Sequence, residues 1–397
     1  MYELEDVTVL DLTTGIGGPY ATMLLGDAGA DVIKIEPVAG DSSRGMPPFV
    51  NGESSIFLSL NRNKRSVAVD VSTPEGQDVA RRLAKRVDMI VEDRGQREMR
   101  RLGLDYDAIA RDNATAVYCT LTDFGERGPM KDLPGSELAV QAMAEFWASL
   151  GTIGEPPLRT GADLAEMNAG LIAFDGIMAA YLYRLTHGVG QRVATNKLVS
   201  LLHHRGTLWA AQSDPDEWFG FHLDNYVKPP EYAYQTKDLP VYFSLRSGTQ
   251  DDFDRLLIRL GMHDALGDPR FAGGREAIGL GRYAHEVKHM WEAAFKDLTA
   301  DEVIEIIKEH RGEPVVVNNL ESLQAHEQMQ TFDVLRQFEH PVAGTVTVAG
   351  QPWKFNGLSE ARMNRPPLLG EHTDEVLADL GFDAAAIAAM RARGAAK

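Results

Sequence analysis

The stretch Val7-Thr-Val-Leu-Asp-Leu-Thr-Thr-Gly-Ile-Gly-Gly-Pro-Tyr20 holds a short β-branched and apolar run, Val7 to Leu12, and then a turn punctuated by Gly15, Gly17, Gly18 and Pro19. Tyr20 to Gly29 reads as a helix and Asp31-Val-Ile-Lys-Ile-Glu36 as a second strand, so the chain opens with a β-α-β unit. The pattern recurs. Ser66 to Val71 is strand-like, Pro74 stands where a helix begins, Val79 to Arg86 continues it, Met89 to Glu92 is an apolar strand, and Ala116 to Thr122 adds one more. Strands alternating with helices predict an α/β fold around a mostly parallel sheet, with ligand residues in the loops just after the strands.

Further along, Glu137 to Leu150 and Ala165 to Leu185 have helical apolar spacing, and Arg159 to Asp163 is the loop leading into the second of these helices. Between Pro215 and Pro240 aromatics and prolines replace the periodic pattern, which predicts a linker. Beyond it, Val241 to Leu245 reads as a strand and Asp252 to Leu260, Glu286 to Ala294 and Asp301 to Glu309 as helices, giving a smaller α+β region. Gly344 to Gly350 alternates like a strand, and Thr373 to Leu380 and Ala384 to Arg393 read as closing helices. No internal repeat or low-complexity tract is visible.

A chain of 397 residues fits two domains or one elaborated α/β unit, and 44% hydrophobic with 25% charged residues excludes disordered, collagen-like and coiled-coil classes. The 40 basic against 58 acidic residues give a net charge of -18, which argues against nucleic acid or an anionic membrane as partner; a polyanionic ligand needs a local basic patch. The single cysteine, Cys119, excludes an internal disulfide framework and a Cys-rich metal site, and suits a reducing, cytoplasmic compartment. Met1 to Leu10 lacks the basic start of a secretory signal, and the apolar run Ala169 to Tyr183 is broken by Asp175 and too short for a bilayer, so no membrane span is expected.

Several constellations have both a chemical and a plain structural reading. The glycines after the first strand can let backbone approach a phosphate, and Glu36 ends the next strand where a dinucleotide fold places its ribose acid; but Tyr20 replaces the third glycine of that fingerprint, and a tight β-to-α turn is the alternative. Asn61-Arg-Asn-Lys-Arg-Ser66 and Arg94-Gly-Gln-Arg-Glu-Met-Arg-Arg101 lie at strand ends and either grip a phosphorylated ligand or form solvated faces. No serine sits in a nucleophile elbow, Cys119 lies inside an apolar strand, and adjacent His203 and His204 point apart on a helix without a third ligand, so no metal site is expected. Carboxylate chemistry remains. Asp163 and Glu166 stand at the start of an apolar helix, as nucleophile or as helix-capping partners.

The segments Val9-Leu-Asp-Leu with Gly18-Pro19, Gly29-Ala-Asp-Val-Ile-Lys-Ile-Glu-Pro37, Asp41-Ser-Ser-Arg44, Asn63-Lys-Arg-Ser66, Thr73-Pro-Glu-Gly76, Phe124-Gly-Glu-Arg-Gly-Pro129, Gln141-Ala142, Asp268-Pro-Arg-Phe271 and Pro366-Pro-Leu-Leu-Gly-Glu-His-Thr373 recur in collinear order in one family. On them the chain resembles the class III CoA-transferases, the CaiB/BaiF or formyl-CoA transferase family. The resemblance implies a large Rossmann-like domain, residues 1–215 with 330–397, a smaller inserted domain, residues 225–325, and an interlocked homodimer. It implies acyl-CoA and a carboxylic acid as substrates and no tightly bound cofactor. In the family mechanism a carboxylate attacks the thioester to give an acyl anhydride, CoA thiolate converts this to an enzyme thioester, and the acceptor acid completes the exchange.

Carried over residue by residue, the resemblance puts Glu166 at the catalytic aspartate position in Ala165-Glu-Met-Asn-Ala-Gly170 and ranks Asp163, three positions earlier, below it. It assigns the CoA-contacting turn to Ile16 and Gly17, the adenine side to Val69, Asp70, Val71 and Ser72, and the pyrophosphate loop to Asp93, Arg94 and Gly95. Arg101, Ser136 and Glu137 complete the CoA contacts. Glutamate in place of aspartate displaces the oxygens by on the order of an ångström, enough to cost about a hundredfold without backbone compensation. With the altered Asp93-Arg94 loop, this leaves a second reading, a degenerate subunit paired with a catalytic paralogue in a heteromer. A 2-methylacyl-CoA racemase would need a histidine base where Ser136 stands. The family's glycine-run loop is not visible between Ser244 and Gln250, and Trp209 to Tyr234 either lines a pocket for a bulky acid or packs as a linker.

Overall fold

The computed structural model describes residues 2–147, 156–204, 206, 233–245, 249–279, 281–332, 334–355 and 362–397. The chain divides into two compact units, one comprising Met1–Ser149, Leu158–Trp218 and Asp333–Lys397, the other Leu150–Pro157 and Phe219–Phe332.

The first unit is built on six parallel strands. They are β1 (Thr8–Asp11), β2 (Asp31–Glu36), β3 (Lys64–Ala68), β4 (Met89–Glu92), β5 (Val117–Thr122) and β6 (Arg192–Asn196), in the spatial order β3-β2-β1-β4-β5-β6. The order runs outward from β1 to β3 and then resumes on the other side of β1 with β4. This reversal leaves a crevice at the carboxyl ends of β1 and β4, where open α/β sheets hold ligands. Pairing is in register, Val9 with Val32 and Met89, Leu10 with Ile33 and Ile90.

The central strands are near-continuous apolar runs because both sheet faces are covered. Leu10, Ile33, Val67 and Ile90 pack under Val79 and Leu83 of α2 (Pro74–Ala84) and under Val376, Leu377, Ile387 and Met390 of the closing helices. Val9, Val32, Met89, Val117 and Cys119 point the other way, onto Ala21 and Leu25 of α1 (Gly17–Asp27) and Ala169, Ala173 and Ile177 of α5 (Leu164–His187). Thr73 caps α2 by accepting the Gly76 N–H at 3.1 Å, with Pro74 in the first turn. Helices α1 and α5 touch through glycine: a Cβ on Gly170 would lie 2.4 Å from the Gly17 carbonyl oxygen. That close approach carries the first turn of α5 to the start of α1.

Two of the six strands of this sheet differ from the sequence reading. β3 ends at Ala68, because Val69 bridges antiparallel to Ala396 and leaves the parallel ladder. β6 was not expected at all; it is an edge strand with no fully buried residue, half-buried except at exposed Ala194, and lacks an apolar run.

In the second unit Val241–Ser244 pairs antiparallel with Glu313–Val316, and helices Gln250–Arg259, Ala284–Phe295 and Ala300–Glu309 surround them. Its core centres on buried Trp291, whose Nε1 donates to the Ala277 carbonyl at 3.0 Å and whose ring meets Phe243, Phe253 and Phe271. Tyr234 belongs to this core, tilted against Phe243 and edge-on to Trp291 and Phe295, as the packing alternative for that residue requires. Residues 209–232 of the aromatic segment, and 246–248 of the loop sought between Ser244 and Gln250, lie outside the described residues. Among the described residues no helix is long and apolar enough to cross a membrane.

Candidate active site

Four adjacent parallel strands deliver their following residues to one place. Thr14 follows β1, Asp93 and Arg94 follow β4, Asp123 follows β5, and Lys197 follows β6 as the first residue of α6 (Lys197–His204). With Glu166 from α5 they line a cavity of about 400 Å³.

Glu166 lies in the first turn of α5. Its Oε2 accepts the Gly17 N–H at 3.0 Å, at the start of α1, and its Oε1 accepts from Lys197 Nζ at 2.5 Å. Glycine at position 17 permits this: a Cβ there would sit 2.9 Å from both Glu166 Oε2 and the Glu166 carbonyl oxygen. The glycine turn that could have cradled a phosphate is therefore closed around a carboxylate, with a helix N-terminus behind it.

Glu137 fixes the backbone beneath. It begins α4 (Glu137–Met143), and its carboxylate accepts the N–H groups of Ala165 at 2.9 Å and Glu166 at 2.8 Å while Gln141 Nε2 donates to it at 2.5 Å. The cap of α5 thus comes from another helix. Asp163, at the N-cap position, makes no side-chain capping bond and is exposed at the surface; partial desolvation by its neighbours, and then the Glu137 charge, raise its pKa. Ser136 caps α4 by accepting the Ala139 N–H at 3.2 Å.

The loop after β4, which leads into α3 (Gln96–Leu102), is held by Glu92, whose Oε2 accepts the N–H groups of Arg94 and Gly95, both at 2.9 Å. Gly95 takes φ +80°, which favours glycine. Asp93 accepts the Thr14 N–H at 2.7 Å, and desolvation, helped by the Glu92 charge, pushes its carboxyl up to about 7. The Arg94 guanidinium faces the cavity with one long bond, Nε to the Leu12 carbonyl at 3.5 Å. A wider groove of about 1040 Å³ runs on from Asp93 and Arg94 past Arg97, Arg100, Arg101 and Lys131. Arg101 is exposed there, paired with Glu98 at 2.6 and 2.8 Å.

Other sequence-derived positions fall elsewhere. Val69 and Val71 are buried, and the Val69–Ser72 segment is tied to the chain end by the Asp70 N–H to the Ala395 carbonyl at 2.9 Å, leaving Asp70 and Ser72 as its accessible side chains. Glu36 is not a ribose acid: it accepts from Arg44 at 2.7 and 2.8 Å, Ser66 Oγ at 2.6 Å and the Asp41 N–H at 3.0 Å, all from its own chain, which removes the dinucleotide reading.

Asn61 to Ser66 is neither a phosphate grip nor a solvated face. It leads into β3 and forms its first residues, whereas Arg94 to Arg101 follows β4, so the two clusters stand at opposite ends of parallel strands. Arg62 is buried against Asp27 at 2.6 and 2.9 Å, and Lys64 is buried against Asp11 at 3.0 Å. Burial pushes the Cys119 thiol up to about 12 and keeps it inert. Among the described residues no cluster of His, Cys, Asp and Glu could hold a metal ion.

Sequence reasoning missed Lys197 and Asp123. Asp123 follows the predicted strand ending at Thr122 and was open to the rule that ligand residues follow strands. Lys197 was hidden because the strand before it was not recognised; the β-branched Val193 and Thr195 after the Gly188–Gly190 turn were the available signal.

The chain belongs to CoA-transferase family III, whose model matches residues 4–373. Among known proteins it is 31% identical to the succinyl-CoA:glutarate CoA-transferase of Mus musculus, over 99% of this chain and 90% of that protein. It is 27% identical to the formyl-CoA:oxalate CoA-transferase of Streptomyces avermitilis, over 98% of each chain. In fold it matches the crystal structure of a CAIB/BAIF family protein from Brucella suis, with a TM-score of 0.82 at 24% identity, covering 96% of this chain and 99% of that one.

Proposed function

We propose that this chain moves CoA from an acyl-CoA to a short carboxylic acid through Glu166, with succinyl-CoA and a dicarboxylic acid such as glutarate as the pair to try first. The observation that carries the reading is the Glu166 carboxylate, held on one oxygen by a helix N-terminus and on the other by an ammonium, at the wall of a cavity. Relatives named for succinyl-CoA with glutarate, and for succinyl-CoA with mesaconate, support the choice of donor. The two anchors on Glu166 and the Glu137 cap beneath it offer the compensation that the longer side chain requires.

Glu166 attacks the thioester carbonyl; a C–O bond forms, the C–S bond breaks, and the thiolate leaves with the electron pair. The thiolate then attacks Cδ of Glu166, forming the enzyme thioester and releasing the donor acid as its carboxylate. The acceptor carboxylate reverses both steps, and Glu166 is regenerated. The arginine-rich groove after Arg94 supports a place for the CoA pyrophosphate, since guanidinium groups pair bidentately with phosphate. Asp70 and Ser72 remain the contacts proposed for the adenine side, and a homodimer the proposed assembly.

The test is to incubate the chain alone with a panel of acyl-CoA donors, trap with hydroxylamine, and map the modified peptide. Modification at Glu166 is expected. CoA binding without modification by any donor, together with exchange on adding a paralogous subunit, would favour the heteromeric reading.

A further inference from the structure

Lys197 is the second half of the Glu166 site, and nothing in the reaction as written above uses it. Its Nζ lies 2.5 Å from Glu166 Oε1 and 2.7 Å from Asp123 Oδ1, and its side chain is 13% exposed. Asp123 is itself anchored, because its Oδ2 accepts the Gly135 N–H at 2.6 Å and its carbonyl accepts the Leu198 N–H at 3.2 Å. Those two carboxylates are the partners of the ammonium among the described residues, so one of its three N–H donors is left for a group in the cavity.

Resting on the reading of Glu166 as nucleophile, we propose that Lys197 is the counter-ion of the charge that migrates through the exchange, held in place by Asp123 while its second partner changes. The charges require such a group. Before attack, Glu166 carries the negative charge. Once the anhydride forms, Glu166 is neutral and the charge sits on the CoA thiolate; once the enzyme thioester forms, it sits on the released carboxylate. Each anion arises within the same cavity, and each faces an ammonium that Asp123 keeps there when Glu166 lets go. A fixed cation aimed at developing charge needs no reorganisation during the reaction, which is the main source of electrostatic rate enhancement.

The second requirement is that Lys197 stay protonated, since a free amine beside an anhydride would acylate itself. Burial by itself lowers the Lys197 pKa, but Glu166 and Asp123 outweigh it and hold it above its ordinary value. Asp123 is thus a positioning residue, acting through Lys197.

The test compares wild type with Lys197→Met, Lys197→Arg and Asp123→Asn, using whichever pair of succinyl-, glutaryl- or formyl-CoA with glutarate, mesaconate or oxalate the wild type turns over fastest. Thermal unfolding is measured as a control. Lys197→Met is expected to lower kcat on the order of a hundredfold with KM for the donor within about threefold. Lys197→Arg should recover at least about tenfold of that loss, and Asp123→Asn should fall between wild type and Lys197→Met. A Lys197→Met enzyme with wild-type kcat, or one altered in KM alone, overturns the proposal while leaving Glu166 in its role. If Lys197→Met does not fold, Asp123→Asn decides: an unchanged kcat overturns the proposal. A wild type that is modified at Glu166 by none of these donors, or a Glu166→Gln variant that exchanges at the wild-type rate, overturns the parent reading and this one with it.

Discussion

Two lysine–carboxylate clusters are built on the two halves of the same sheet, one on β1, β2 and β3 and one after β5 and β6, and they are opposite in kind. The first joins Asp11, Lys34, Asp41 and Lys64, all buried. Lys34 donates to the Thr13 carbonyl at 2.7 Å and pairs with Asp41 at 2.8 Å, while Lys64 donates to Asp11, to the Pro19 carbonyl and to Asn61. Burial alone would raise the Asp11 pKa; Lys34 and Lys64 reverse this and hold it far below the carboxylate range. Lys64 is pushed down to about 8, by burial first, against the pull of Asp11 and with the repulsion of Lys34. The second cluster, Glu166, Lys197 and Asp123, is half-buried and borders a cavity. Charge pairing is common to both. What separates a structural network from a reactive one is whether a donor or a lone pair remains on a surface that a ligand can reach, because a buried pair with every partner inside the chain can only stabilise or destabilise the fold.

Four substitutions sharpen that contrast. Glu166→Gln should reduce CoA exchange by more than about a thousandfold, as loss of a covalent nucleophile does, while the unfolding midpoint stays close to wild type. Lys64→Met should do the converse. Stripping the nearer cation from buried Asp11 should cost about 3–5 kcal/mol in urea unfolding, and a variant as stable as wild type would show that the buried network contributes little. Gly17→Ala lies on the seam between the two clusters. Its Cβ would press on Glu166 within 2.9 Å, and steady-state kinetics should show a loss of about tenfold in kcat with modest loss of stability.

The smallest effect is read by pH. Asp93 is raised to about 7 in the folded chain from an ordinary 3.8, so between these values the folded state binds more protons than the unfolded state, and the Asp93 contribution to stability falls as pH rises. Asp93→Asn mimics the protonated form and can still accept the Thr14 N–H. Its melting temperature should match wild type near pH 4 and exceed it by a few degrees at pH 8. Equal melting curves at both pH values would mean that Asp93 ionises freely in the fold.

The same contrast separates what could be read in advance from what could not. The alternation of apolar strands and helices was legible from Val7 to Thr122 because each element's burial pattern is local: period two or a short apolar run for strands, period near 3.6 for helices. The place of Glu166 was legible through resemblance, at the start of an apolar helix. Edge strand β6 was not, since none of its residues is fully buried and its sequence lacks an apolar run to mark it. With β6 unread, Lys197 had no strand end to follow. The basic run Asn61 to Ser66 looked like a surface cluster, and no local pattern says that Asp27 and Asp11 will cover it.

The sequence by itself therefore determined the α/β class, the succession of elements, helix starts such as the one at Pro74, and the family, because these depend on neighbours in the chain. Only the tertiary structure decided the partners of each charge: that Glu36 closes on Arg44, that Glu137 caps a helix not its own, and that Lys197 meets Glu166 and Asp123. The physical reason is that an ion pair depends on distance and desolvation, and both are set by which loops the folded sheet brings to one edge.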